Sequence, residues 1–313
     1  MRARWLVIML VVFLVLLAGM SWAARRVERA ARSLVAYARS EMSDWTRTGE
    51  EERSFEAAGA RRLAIENHIG NVTIVSGGPD VKVHAVTSAR IDSEAARGSR
   101  RVRLSCEPDG PGGLAIRIPR QRNHTRVDLE LQVPATLAVT VTAAAGSITV
   151  ERLAGAVTVH NGAGDITVTQ CAGPIDIHTG VGTTTVSGAR AAVTVETGAG
   201  DVRVEDVRGA VHGHAGVGTV TLDRIVSDHV KATVGCGDVQ VRMAAPFSGT
   251  MYAHSGIGTA TVALRSGSHC RVDASVGIGS VSDDLPLSVV SRSGPGRIDV
   301  SSGLGDVSVK KAG

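Results

Sequence analysis

The stretch VTVHNGAGDITVTQCAGP (157–174) is followed by IDIHTGVGTTTVSGARAA (175–192) and VTVETGAGDVRVEDVRGA (193–210). Each block is 18 residues long and carries the same word at the same place: Gly162-Ala-Gly164, Gly180-Val-Gly182, Gly198-Ala-Gly200. With Gly146 and Gly218 the word recurs five times at that spacing, then returns at Gly237, Gly258, Gly279, Gly296 and Gly305 with uneven gaps. A fixed period of this length marks a stacked repeat. The sequence therefore predicts an all-β fold, a parallel β-helix-like solenoid of about 18 residues per coil.

Within one block, Val157 and Val159 point one way and Thr158 and His160 the other, because side chains alternate along a strand. After the glycines, Ile166 and Val168 take the inner face while Asp165 and Thr167 face out. Two short strands and two turns fill one coil, and Gly at the corner permits backbone angles that other residues resist. One coil alone buries too little to offset the entropy of ordering its backbone, so stacking is required. An antiparallel meander carries the same alternation. The parallel coil is preferred because it stacks equivalent residues.

Two ladders follow from that stacking. The residue after the second Gly alternates Asp165, Thr183, Asp201, Thr219, Asp238, Thr259. In coils about 4.8 Å apart, a Thr between two acids separates like charges and offers each a hydroxyl donor. Calcium is disfavoured, since acids two coils apart cannot share one ion. The second ladder stands four residues before the same Gly: His160, His178, Glu196, His214, with His254 further on. It reads as an exposed polar row in which Glu196 accepts from neighbouring imidazoles. The competing reading is a divalent-metal strip, but a linear ladder gives no tetrahedral closure.

The dense basic run outside the N-terminal arm is Arg117-Ile-Pro-Arg120-Gln-Arg122-Asn-His-Thr-Arg126. Arg117, Arg120, Arg122 and Arg126 are the candidate binding residues for a polyanion such as a phosphate-bearing envelope polymer; the plainer reading is a solvated hairpin loop. No catalytic residue, metal site or cofactor is expected. Cys106, Cys171, Cys236 and Cys270 form no CxxC and read as small isolated hydrophobes.

Charge narrows the partners. The net +4 of the 313-residue chain comes from its first part: residues 1–47 hold eight Arg against three acids, a balance of +5 that leaves −1 for the rest. A nucleic-acid footprint is thus absent from the repeats, and beyond residue 60 only Phe247 and Tyr252 could stack on bases.

Trp5 to Ala24 is an uncharged, mainly apolar run behind Arg2 and Arg4, long enough as a helix to cross a bilayer. It reads as a retained anchor over 1–24; the alternative is a cleaved signal peptide ending at Ser21-Trp-Ala23. Residues 25–47 carry an apolar stripe at Val27, Ala31, Leu34, Ala38, Met42 and Trp45, predicting an Arg-rich amphipathic helix. Residues 48–60 read as a charged linker, 61–135 as a set of leading β-strands paired across longer loops, and 136–313 as the regular coils. Arginine counts lean towards a cytoplasmic C-terminal part. The Thr-, Ser-, Gly- and Val-rich repeats lean the other way, and the expectation is a single-pass membrane protein with its repeats exported.

Three segments in order, Leu63-Ala-Ile-Glu-Asn-x-x-Gly70-Asn-Val-Thr-Ile74, Leu131-Gln-Val-Pro-Ala135 and the Gly-Asp-Ile/Val-x-Val coils, resemble a bacterial family. The family comprises the β-strand-repeat domains of unknown function called putative adhesins, relatives of the head-GIN domains. The resemblance covers residues 61–310. It implies a β-solenoid in a membrane-associated setting and transfers no active-site residues. The leading expectation is a non-enzymatic, membrane-anchored envelope module that binds a protein or surface polymer. The alternative is a membrane-tethered regulatory or assembly scaffold, self-associating through an open coil end that Lys310-Lys311 guards at one side. A β-helix carbohydrate enzyme is disfavoured because the acids are dispersed and an aromatic sugar platform is missing.

Overall fold

In the computed structural model the described residues are 45–57, 59–90, 104–118, 125–283 and 295–312. They form twenty-five strands. The first seven are β1 (Trp45–Phe55), β2 (Arg62–Ile69), β3 (Val72–Ser76), β4 (Val81–Arg90), β5 (Ser105–Pro108), β6 (Gly113–Arg117) and β7 (Thr125–Val133). The regular coils follow, each with one longer and one shorter strand. They begin with β8 (Ala138–Ala145), β9 (Ile148–Glu151), β10 (Val157–Ala163), β11 (Ile166–Thr169), β12 (Ile175–Val181) and β13 (Thr184–Ser187). Next come β14 (Val193–Ala199), β15 (Val202–Glu205), β16 (Val211–Val217), β17 (Val220–Ile225), β18 (His229–Cys236) and β19 (Val239–Met243). The last are β20 (Thr250–Ile257), β21 (Ala260–Leu264), β22 (Cys270–Ile278), β23 (Val281–Asp283), β24 (Gly296–Leu304) and β25 (Val307–Lys311).

The strands make two sheets. The longer strand of each regular coil from β8 onward enters one, here sheet B, and the shorter enters the other, sheet A. From β8 to β17 neighbouring coils pair in parallel with an 18-residue offset, Val157↔Ile175 and Ile166↔Thr184 among them. The parallel solenoid is therefore correct and the meander is not. Inward rows from both sheets merge into one hydrophobic cluster, for example Val157, Ile175, Val193 and Val211 facing Ile166, Val202 and Val220. Each fully buried Val or Ile contributes roughly 1.5–3 kcal/mol, so the rows rather than any single contact hold the stack. At Gly213 the aliphatic row is interrupted, and Leu222 of the facing sheet reaches to 3.5 Å of where a Cβ would stand.

A further inward row comes from the turns. Leu153, Cys171, Ala189, Val207 and Ile225 recur every 18 residues and are all buried. Cys171 is thus a core residue, and burial pushes its thiol up. All four cysteines are free thiols, and burial pushes Cys270 up to about 11.

Several expectations change at the ends. Residues 48–55 are no linker: with Trp45–Arg47 they form β1, antiparallel to β4 from Trp45↔Arg90 to Phe55↔Val81. An edge strand needs few apolar residues, so its charges imitate a linker. This also removes 45–47 from the expected helix; its remainder and the anchor lie outside the described residues. The boundary at 135/136 is not a break, because β2 pairs with β8 and β3 with β9 in coil register. Among the leading strands, Ser105–Pro108 is a short edge strand with a terminal Pro.

Coil order is reversed at both ends of the stack. The coil β2–β3 lies between β8–β9 and β6–β7, and the last coil in sequence, β24–β25, lies between β20–β21 and β22–β23. Lys310 and Lys311 therefore belong to an internal strand, paired with Ala263 and Leu264, and not to the outermost described strand.

Candidate functional site

The outer face of sheet B carries the polar ladder in one continuous line. Cross-strand register joins Arg117, Glu66, Thr142, His160, His178, Glu196, His214, Thr233, His254 and Ser301 in that order. The histidines stand where the sequence put them. The His160 and His178 rings stack with centroids 5.2 Å apart and planes 14° from parallel. His178 Nδ1 lies 3.2 Å from Glu196 Oε2, and its Nε2 lies 3.2 Å from Asp176 Oδ1. His214 instead bonds Thr233 Oγ1 at 2.8 Å, so Glu196 serves one neighbouring imidazole rather than both. His254 bonds Ser301 Oγ at 2.9 Å.

Beside the ladder runs a strip without side chains. A Cβ on Gly162, Gly180, Gly198 or Gly216 would stand only 2.5–2.7 Å from a carbonyl oxygen of the preceding coil. Close coil stacking thus leaves no room for a side chain at these four glycines. The result is an open groove of about 540 Å³, floored by these glycines and walled by His160, His178, Glu196 and His214. The sequence reading missed this groove. Its signal was the first Gly of each word, two residues beyond the ladder and on the same face.

It also missed a second outward row, two residues before the first: Thr158, Asp176, Thr194, His212, Lys231 and Tyr252. Burial pushes the His212 imidazole down, and the neighbouring Lys231 charge acts the same way. The Tyr252 ring stacks on His254 with centroids 6.0 Å apart.

The arginine patch is divided. Arg120 and Arg122 lie outside the described residues. Arg117 stands on β6 in sheet B, 3.3 Å from Glu66, 3.8 Å from Glu107 and 3.6 Å from Asp109. Arg126 stands on β7 in sheet A, with Nε 2.8 and 2.9 Å from the two oxygens of Asp128. The structure brings Arg117 into line with the histidine ladder, and it does not bring Arg117 and Arg126 together on one face.

At the corners, the Asp–Thr alternation has a different partner from the one expected. The Asp165, Asp201 and Asp238 carboxylates accept the backbone N–H of Thr183, Thr219 and Thr259 at 3.0, 2.9 and 2.7 Å. The amide donates rather than the hydroxyl, because it lies directly above the carboxylate. On sheet A's turn side, Arg224 bridges Asp206, Asp223 and Glu205 at 2.7, 2.6 and 3.3 Å. Among the described residues no group of three or more His, Cys, Asp or Glu is arranged to hold a metal ion.

Three solved structures similar to this chain are a putative cell adhesion protein from Clostridium sporogenes and putative adhesins from Bacteroides fragilis and Parabacteroides distasonis. Their identities are 13%, 11% and 12%, with TM-scores of 0.24, 0.37 and 0.34. The matches cover 85%, 84% and 84% of this chain and 100%, 97% and 97% of the others. No curated protein matches the chain. The profile of one family, Toastrack DUF4097, matches residues 60–310, and the chain belongs to that family.

Proposed function

We propose that the chain is a non-enzymatic, adhesin-like β-solenoid module of the bacterial envelope, anchored through its N-terminal apolar run and binding a protein or surface polymer. The observation that carries the reading is the groove on sheet B, with in-register imidazole, carboxylate and hydroxyl groups above a glycine floor. Its spacing of about 4.8 Å presents one polar side chain per coil to an extended chain laid along the stack. The corner carboxylates are each tied to a backbone amide, which supports binding rather than acid–base catalysis. Arg117, in line with the ladder, is the polyanion arm of the same reading, and a polyanion there has to displace the carboxylates around it.

The test is retention of purified envelope polysaccharide and envelope protein fractions on the immobilised chain. His160→Ala/His178→Ala/His214→Ala is expected to lose retention at least tenfold, with Arg117→Ala/Arg126→Ala as the second arm. Equal retention by wild type and both variants ends the reading. The exported location is tested separately by C-terminal reporter fusions, of which the one active outside the cytoplasm is expected to report.

A further inference from the structure

The two ends of the coil stack are finished differently. At the N-terminal side, β5 runs antiparallel on β6, while β4 runs antiparallel on β7 and β1 antiparallel on β4. Those strands carry Pro108 and the run Glu50-Glu-Glu-Arg53, features that discourage further pairing. At the other side, β22 pairs with β24 from Cys270↔Gly296 to Ile278↔Leu304 and has no strand on its outer side among the described residues.

This last coil keeps the aliphatic row of an internal one but not its burial. Val272, Ala274 and Val276 pack against the core and stay partly exposed, where Val157 and Val159 are buried. Ile278 is 57% exposed and Val281 44%, the highest values among the exposed large hydrophobic residues described. An aliphatic row with a free strand edge is completed by one more coil of the same kind.

We propose that a second copy of this chain supplies it, the two C-terminal ends meeting about a two-fold axis with β22 antiparallel to its counterpart. The charges on the strand choose the register. With Val272 on the axis, Arg271 faces Asp273 of the second copy and Asp273 faces Arg271, giving two cross-strand ion pairs. With Asp273 on the axis, two carboxylates would oppose each other; with Ala274 there, neither charge meets its opposite. Arg271 and Asp273 already pair within the strand at 3.1 Å, and so exposed a pair exchanges partners at little cost. The contact uses one patch twice and closes at two copies. A head-to-tail fibre is blocked by the covered N-terminal edge.

The experiment is the molar mass of the full chain in detergent micelles, read by light scattering after chromatography across a hundredfold concentration range. Wild type is expected at twice the monomer protein mass. Arg271→Asp and Asp273→Arg are each expected to halve that mass, and the double variant to recover it; circular dichroism melts verify that all three fold. A monomeric wild type, a dimer that survives both single reversals, or a mass that climbs without limit overturns the proposal. So does a monomer whose β22 amides resist hydrogen exchange as well as those of β18, because the chain's own residues would then cover the edge.

Discussion

The Asp306 carboxylate accepts the backbone N–H of Ser280 at 2.9 Å and its hydroxyl at 2.6 Å, although Ser280 precedes it by 26 residues. In sequence order the corner residues read Asp238, Thr259, Ser280, Asp306, and the alternation of acid and hydroxyl breaks down. In spatial order, with β24–β25 inserted before β22–β23, they read Asp238, Thr259, Asp306, Ser280, and it holds. The other end does the same with one carboxylate and one amide: Asp128 accepts from the Asn71 N–H at 2.7 Å, and the Asn71 Oδ1 accepts from the Ser147 N–H at 3.0 Å. Each acid ties its own coil to the next along the stack, so the corner ladder is consistent only with the reversed coil order.

Those two hydrogen bonds hold the Asp306 carboxyl below the usual carboxylate range. A depressed folded value means that the stabilisation is present above the unfolded pKa, near 4, and is lost as pH falls through the folded one. Asp306→Ala is therefore expected to speed hydrogen exchange in β22 and β23 at pH 6 while leaving β10–β15 unchanged. The difference between variant and wild type should shrink as pH falls from 6 towards 2. A difference of equal size at both pH values counts against the carboxylate as its cause.

Gly182 has a φ of 144°, and a Cβ built there would overlap the carbonyl oxygen of Gly164 in the coil before. Gly182→Ala adds a backbone conformation costly for any L-residue, on the order of 1–3 kcal/mol, to a clash that only coil displacement relieves. The expected loss in a urea titration is at least ~3 kcal/mol. Gly78→Ala, where nothing lies within 4 Å of the added methyl, is the control and should change stability by less than about 0.5 kcal/mol. Similar effects at both sites would contradict the steric account.

Thr184 sits in the inward row between Ile166 and Val202, fully buried, and its hydroxyl has no hydrogen-bond partner. Thr184→Val keeps the shape and removes a desolvated polar group. It should raise stability by about 1 kcal/mol, seen as a higher urea midpoint at unchanged slope. A lower midpoint means that the hydroxyl is satisfied in solution, and the row is not dry there.

The coil, its period and the position of His160 over His178 were legible because each rests on residues repeating at one spacing. What escaped the reading did so for identifiable reasons. Strand β1 carries charge where a strand normally alternates, since an edge buries little of it. The inward turn row hid because Leu153, Cys171, Ala189, Val207 and Ile225 share position and not type. The reversed end coils left one trace, the broken alternation at Ser280, which periodicity counts as noise. The groove was hidden more deeply, because it consists of missing side chains, and the glycines that form it read as turn residues.

The N-terminal clasp supplies a test of opposite sign. His84 on β4 reaches Glu50 of β1 at 2.7 Å and Glu130 of β7 at 3.6 Å, joining three strands through one imidazole. The Glu50 carboxylate beside it, and to a lesser degree Glu130, raises the His84 pKa, while the imidazole and Arg47 lower that of Glu50. A raised folded value gives a contribution that is complete below the unfolded pKa, near 6.5, and lost as pH rises through the folded one. Exchange protection of the β1 amides, corrected for intrinsic rate, should therefore fall from pH 6 towards pH 9, while that of β12 stays level. His84→Gln should abolish that slope and show the high-pH protection throughout. A slope that persists in the variant would assign the pH response to some other group and leave the clasp without its switch.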